Sequence, residues 1–174
     1  MKRFNRRTYK SFAKMLSDFS KVVAERKQIR PLIHGNLIDP AFRERLMLVV
    51  TSVNQCRYCS YIHSKLAVMQ DITLEEIHDL CVGALDKCPE EELPALLYAQ
   101  HWVEVDGNPQ LEVRQRIVNV YGEEKTCAIE FCIRLINIAN LLGNGFDLIL
   151  YILSFGNYEV NRTSRTVRTH VEHL

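Results

Sequence analysis

Two cysteines and a histidine stand close together in Cys56-Arg57-Tyr58-Cys59-Ser60-Tyr61-Ile62-His63. If this stretch is helical, Cys59 lies about 60° around the axis from Cys56 and His63 about 40° beyond Cys59, so all three side chains leave one face. That spacing suits thiol chemistry. A thiolate, not a thiol, attacks a peroxide or a disulfide, so a working site must stabilise its charge near neutral pH. The first turn of a helix offers Cys56 and Cys59 unpaired N–H groups and the positive end of the helix dipole. His63, one turn beyond Cys59, can take its proton directly or through a water. A sulfenic acid formed on one cysteine can be captured by the other, and an external dithiol reduces the resulting disulfide.

Glu44 is the fourth candidate. It falls in a helix expected to be buried, where a carboxylate is rarely left without a partner. Arg43 and Arg45 offer ordinary ion pairs. A fold-back at Asn54-Gln55 would instead bring Glu44 to His63 and fix the imidazole tautomer. Two other readings of the cysteine pair stand beside the redox one. Cys56 and Cys59 can simply be buried packing residues. Alternatively, Cys56, Cys59 and His63 supply three zinc ligands, with His78, Cys81 or Cys88 as a fourth, although no second CxxC accompanies them. The remaining cysteines, Cys81, Cys88, Cys127 and Cys132, read as core, and His34, His78 and His101 as satisfied structural histidines. Tyr58, Tyr61 and Trp102 either line the pocket or pack.

The elements that must position these residues read as helices. Phe12, Met15, Leu16, Phe19, Val22 and Val23 recur at steps of three and four, so residues 8–28 are predicted to form an amphipathic helix that packs one face. A short apolar segment at 31–34 leads to Asp39-Pro40, an N-cap followed by proline at the first helical position. The helix that starts there is nearly all apolar through Leu46 to Val50 and should lie in the middle of a bundle. Thr73-Leu74-Glu75-Glu76 reads as a capping box opening a helix to about Leu85. Further helices are expected from Pro89 to about Trp102, over 109–121 and over 123–142. Gly143-Asn144-Gly145 is expected to break the last of these before an apolar run to Phe155. No strand alternation or repeat is found, so the expected architecture is an all-α compact helical bundle.

Composition narrows the classes. The 174 residues, 47% of them hydrophobic, suit one domain, with a core over about 8–156. The net charge of +1 gives no global field toward nucleic acid or an anionic membrane. The basic residues Lys2, Arg3, Arg6, Arg7 and Lys10, and Arg162, Arg165 and Arg168 in the tail, read as solvated termini. Residues 126–155 carry Glu130, Arg134, Asn137, Asn140, Asn144 and Asp147, too many polar groups for a bilayer span. No secretory signal is visible, and a cytoplasmic protein is expected. Six cysteines at these spacings do not resemble a secreted disulfide scaffold.

Glu44, eleven residues, then Cys56-x-x-Cys59-x-x-x-His63 resembles the signature of the alkylhydroperoxidase D-like branch of the carboxymuconolactone decarboxylase family. The apolar helix before the motif, the Thr73 helix start and the run Ala128-Ile129-Glu130 to Asn137-Ile138-Ala139-Asn140 are similar too, so the resemblance spans roughly 30–150. It implies an all-helical subunit that assembles into trimers or hexamers. It also implies a thiol-dependent peroxidase or disulfide oxidoreductase acting on a small peroxide or disulfide, regenerated by a dithiol protein or small thiol, without metal or other cofactor. By carry-over, Cys59 attacks, Cys56 resolves, and His63 with Glu44 relays protons. The best-known members have histidine where this chain has Tyr58, which removes one relay group, and often a glycine where it has Asp71. The alternatives are a lactone decarboxylase, which has no need of a redox dithiol, and a non-catalytic zinc-binding or oxidant-sensing helical module.

Overall fold

The computed structural model of the protein describes residues 4–28 and 37–155. Among these residues the chain is all-α, with seven helices and no strand: α1 (Phe12–Ala24), a 3-10 turn (Arg26–Gln28), α2 (Pro40–Asn54), α3 (Arg57–Val68), α4 (Leu74–Val82), α5 (Leu93–Glu104), α6 (Leu111–Tyr121) and α7 (Glu123–Leu153). The apolar segment at 31–34 lies outside the described residues, as do Lys2, Arg3, His34 and the tail from residue 156.

The helix ends follow local chemistry. Asp39 Oδ1 accepts from the amides of Ala41 at 2.7 Å and Phe42 at 3.1 Å, and Pro40 occupies the first position of α2. Such a cap contributes about 1 kcal/mol. At the other end Gln55 adopts a left-handed φ of 58° and closes α2. Only half of the capping box forms at α4. Thr73 Oγ1 accepts from the Glu76 amide at 3.2 Å, but the Glu76 carboxylate is taken by Arg45 Nε at 2.6 Å. Gly83, with φ 84°, ends α4 before the expected Leu85. Asp71 has φ 58°. The turn before α4 therefore requires the left-handed conformation, and aspartate is among the few side chains that tolerate it.

α2 is the centre of the bundle. It packs on α3, α4, α5 and α7, and Leu46, Leu48, Val49 and Val50 are wholly buried. Each large aliphatic side chain removed from water contributes about 1.5–3 kcal/mol.

α7 departs from expectation. It runs unbroken through Gly143 and Gly145. A mid-helix glycine costs only about 1 kcal/mol, which contacts elsewhere along the helix outweigh. Asn137, Asn140, Asn144 and Asp147 form a buried polar stripe on its inner face. Thr51 Oγ1 donates to Asn140 Oδ1 at 3.2 Å, and Asn54 Nδ2 to Asn137 Oδ1 at 2.9 Å. Asn144 Nδ2 donates to the Asn54 carbonyl at 2.7 Å. By length and composition α7 is apolar enough to cross a membrane, but its polar stripe bonds to α2, which makes it a core helix.

The N-terminal region also corrects the sequence reading. Arg6 is buried against Asp147, and Arg7 and Lys10 both pair with Asp106, so this stretch is fastened to the bundle and is not a solvated arm. α1 itself also departs from the expectation. Its one buried residue is Asp18, while Phe12, Leu16, Phe19 and Val23, expected to pack, are exposed.

Candidate active site

Because α2 ends at Asn54 and α3 begins at Arg57, two residues suffice to fold one helix back on the other. Four residues singled out in the sequence form two pairs along this hairpin of helices. Cys56 is the N-cap residue of α3, and its sulfur lies 2.9 Å from that of Cys59 one turn on. That is too long for a disulfide, and all six cysteines are free. Farther along α3, His63 Nδ1 meets Glu44 Oε2 at 2.7 Å, and Glu44 Oε1 accepts from Arg43 Nε at 3.1 Å. Glu44 thus serves two of the three partners that the sequence offered it, Arg43 and His63, while Arg45 turns to Glu76 and Glu92. Its side chain is 2% exposed, and its bond to Nδ1 leaves the second ring nitrogen of His63 unengaged by Glu44.

The two thiols are not equivalent. Cys56 makes no capping hydrogen bond through its side chain. Even so, the Cys59 thiol holds Cys56 below the ordinary thiol range, helped by the amides of Cys59 and Tyr58 and by the charge of Arg6, against the opposing effect of burial. Cys59 is pushed up, first by its hydrogen bond to Cys56, then by burial and by the charge forming on its neighbour. The pair therefore ionises first on Cys56, with Cys59 holding the shared proton. Accessibility runs the other way: Cys56 is 0% and Cys59 9% exposed.

Several residues outside the motif complete the site. Asp147, wholly buried, accepts from Arg6 Nη1 at 2.5 Å, Arg57 Nη2 at 2.7 Å and Tyr58 Oη at 2.7 Å. Tyr58, in the position of the missing relay histidine, is thereby turned toward α7. Gly143 packs directly on the sulfur, and a Cβ there would stand 3.0 Å from Cys56 Sγ, a tight contact that one side or the other would have to relieve. Asn144 Nδ2 donates both to the Arg7 carbonyl at 2.9 Å and to the Asn54 carbonyl. Apart from Arg57 and Tyr58, none of these belongs to the motif. The signals in the sequence were an acid in an apolar helix and the adjacent Gly143-Asn144 pair.

Other candidates are dispersed. Cys88 and Cys132 are buried as expected, and burial raises Cys88 to about 11 and Cys132 to about 12. Cys127 is not core: it is half-buried beside Glu123, with its sulfur 3.5 Å from the carboxylate. Cys81 is also half-buried, its sulfur 3.5 Å from Ser60 Oγ. His78 is exposed next to Asp79, whereas His101 Nε2 is buried without a hydrogen-bond partner among the described residues, contrary to the satisfied role expected. Trp102 packs in the core, away from the role of pocket lining, and Tyr61 is exposed. Among the described residues no three His, Cys, Asp or Glu side chains converge to hold a metal ion.

No curated protein and no solved structure matches the chain. The model of the carboxymuconolactone decarboxylase family matches residues 27–102, which run from the turn after α1 into α5 and leave α7 outside. Glu44, Cys56, Cys59 and His63 all lie within the matched segment, and over this segment the chain is similar to the carboxymuconolactone decarboxylase family.

Proposed function

We propose that the protein is a thiol-dependent peroxidase or disulfide oxidoreductase of the alkylhydroperoxidase D-like type, with Cys56 and Cys59 as the redox pair and His63 with Glu44 as the proton relay. The observation that carries the reading is the 2.9 Å approach of the two sulfurs at the start of α3, one turn before an imidazole oriented by a buried carboxylate. Lactone decarboxylation would use the carboxylate and imidazole but gives no reason for the thiol pair.

The chemistry balances with a hydroperoxide and an external dithiol. His63, directly or through a water, takes the proton that Cys59 holds with raised affinity, and the thiolate so formed attacks the distal peroxide oxygen. An S–O bond forms, the O–O bond breaks, and the alkoxide leaves with the proton held on His63. The Cys56 thiolate then attacks the Cys59 sulfenic acid, forming the disulfide, while the departing hydroxide takes a proton from solvent and leaves as water. A dithiol protein or small thiol reduces the disulfide and is itself oxidised. Free thiols throughout the chain suit a reducing, cytoplasmic setting.

Association of like subunits is part of the same proposal. Tyr61, Ile62 and Leu66 of α3 and Phe146, Ile149 and Leu153 of α7 are large exposed apolar side chains, and such surface is usually covered. A solution mass above that of the 20.2 kDa chain is expected.

The test is alkylation with peptide mapping on reduced and hydroperoxide-treated protein, together with the rate of hydroperoxide consumption. Loss of two alkylation sites at Cys56 and Cys59, restored by dithiol, is the expected result. Both thiols remaining alkylatable after peroxide would sink the reading.

A further inference from the structure

We propose that Arg6 is a positioning residue of the thiol site: the N-terminal segment closes over the Cys56 end of α3 and sets a buried guanidinium there to favour Cys56 as the resolving sulfur. This inference deepens the peroxidase reading and rests on it for the resolving step, though its effect on Cys56 is measurable without turnover.

Three observations place the segment at the thiol. The Arg6 side chain is 2% exposed and bonds Asp147, which is 0% exposed and also holds Arg57 and Tyr58, the two residues that follow Cys56. Asn144, three residues before Asp147, joins the Arg7 carbonyl to that of Asn54, two residues before Cys56. Between them, Gly143 lets α7 come against the Cys56 sulfur. The segment and the thiol loop are therefore fastened to the same turn of α7. An unsupported buried cation is expensive, so its retention beside a thiol calls for the anchor that Asp147 provides.

The charged and titratable groups gathered at this end are Cys59, Arg57 and Tyr58 of α3, Asp147 of α7 and Arg6 of the N-terminal segment. α2 contributes the uncharged Asn54. Arg6 acts on Cys56 by charge, in the direction that favours the thiolate. A standing thiolate on Cys56 speeds capture of the Cys59 sulfenic acid, because a thiolate is the attacking form. It also makes Cys56 the better leaving sulfur when the disulfide is reduced. Slow capture would leave the sulfenic acid open to a second hydroperoxide, which adds one oxygen to give a sulfinic acid and loses one alcohol.

The experiment is the pH dependence of Cys56 alkylation by iodoacetamide, mapped by mass, in wild type, Arg6→Gln and Arg6→Lys, with thermal melts to establish folding. Arg6→Gln is expected to raise the Cys56 midpoint by at most about one pH unit, the scale of one lost neighbouring charge, because Arg6 is the least of the influences that lower this thiol and Asp147 offsets part of its charge. Arg6→Lys, which keeps the charge, should return it to the wild-type value. Under hydroperoxide, Arg6→Gln should accumulate Cys59 sulfinic acid. An unchanged midpoint in folded Arg6→Gln overturns the proposal. Should Arg6→Gln not fold, a midpoint in folded Arg6→Lys as much as one unit above wild type overturns it, and a wild-type midpoint supports it. If wild type forms no disulfide with hydroperoxide, the peroxidase reading falls, while the alkylation midpoints still judge the role of Arg6.

Discussion

Two buried ionic clusters flank α2 and α3, and they are built with opposite charge balance. At one, Asp147 is shared by Arg6 and Arg57. At the other, Arg45 is shared by Glu76 at 2.6 Å and Glu92 at 3.2 Å. A cysteine is associated with each. Cys56, near the two cations, is held below the ordinary thiol range, mainly by Cys59, with Arg6 adding to the effect. Cys88, near the two acids, is raised to about 11, mainly by burial, with Glu76 and Glu92 adding to it and Arg45 opposing. Both thiols are nearly or wholly buried, 0% for Cys56 and 8% for Cys88, so burial alone does not account for the opposite directions of their shifts. A partner thiol, helix-start amides and the sign of the neighbouring charge do.

The sharpest way to break that comparison is by substituting thiols. Cys59→Ser is expected to cut hydroperoxide turnover by about 10³-fold or more, because it removes the attacking atom, with little change in melting temperature. Cys88→Ser should leave turnover within about twofold, since its sulfur takes no part. Comparable losses in the two variants would erase the distinction between the clusters.

The next largest effect is on stability. Asp147→Asn leaves two cations without their shared counter-charge and is expected to lose about 3–5 kcal/mol in denaturant unfolding. Arg45→Gln should lose less, about 1–2 kcal/mol, because Arg45 and Glu92 are 12% and 13% exposed and water relieves part of the strain. The reverse order would mean that the Asp147 cluster is not the tighter of the two.

Two glycines of α7 test the thiol end more finely. Gly145 has nothing within 4 Å of an added Cβ, so Gly145→Ala should gain about 0.5–1 kcal/mol and leave activity alone. Gly143→Ala gains the same helix preference but presses on the Cys56 sulfur at 3.0 Å and on the Tyr58 ring at 3.5 Å. Its stability should stay near wild type, while disulfide formation slows by about tenfold, an order-of-magnitude expectation for a displaced reacting atom. Equal rates in the two variants would show that the sulfur has room to move.

The smallest effect belongs to the acidic cluster. Burial raises Glu92 to about 7 from 4.5, outweighing the lowering by Arg45. The folded state therefore binds the extra proton between those values. The contribution of Glu92 to stability is fully present below about 4.5 and is lost as pH rises through about 7. Wild type minus Glu92→Gln, measured by denaturant unfolding from pH 5 to 8, should show stability falling with pH by a modest amount. A difference that rises with pH would reverse the sign assigned to this carboxylate.

Much of the fold was legible in the sequence because the signals are local. Asp39-Pro40 and Thr73 mark helix starts by chemistry confined to a few residues, and the apolar run Leu46 to Val50 leaves α2 only the interior. Thr73 also marks the limit of such signals. Its partner Glu76 satisfies the local pattern yet is drawn to Arg45, 31 residues away. Likewise the apolar stripe of α1 predicted an inward face, but Asp18 is the residue it buries and most of the stripe is exposed.

The sequence by itself determined the chemistry available: two thiols and an imidazole on one face of a helix, with a carboxylate one helix earlier, because helical periodicity and a two-residue connection fix those relations locally. Only the tertiary structure decided which thiol carries charge. The partner thiol lies within the motif, but the charge of Arg6 that adds to its effect, and the packing of Asp147, Gly143 and Asn144 around this end of α3, come from some 50 to 90 residues away along the chain, α7 being continuous through its glycines. Charge acts through space and carries no periodic trace along the chain, so an acid in an apolar helix and an arginine near the N-terminus become a pair only when the bundle closes.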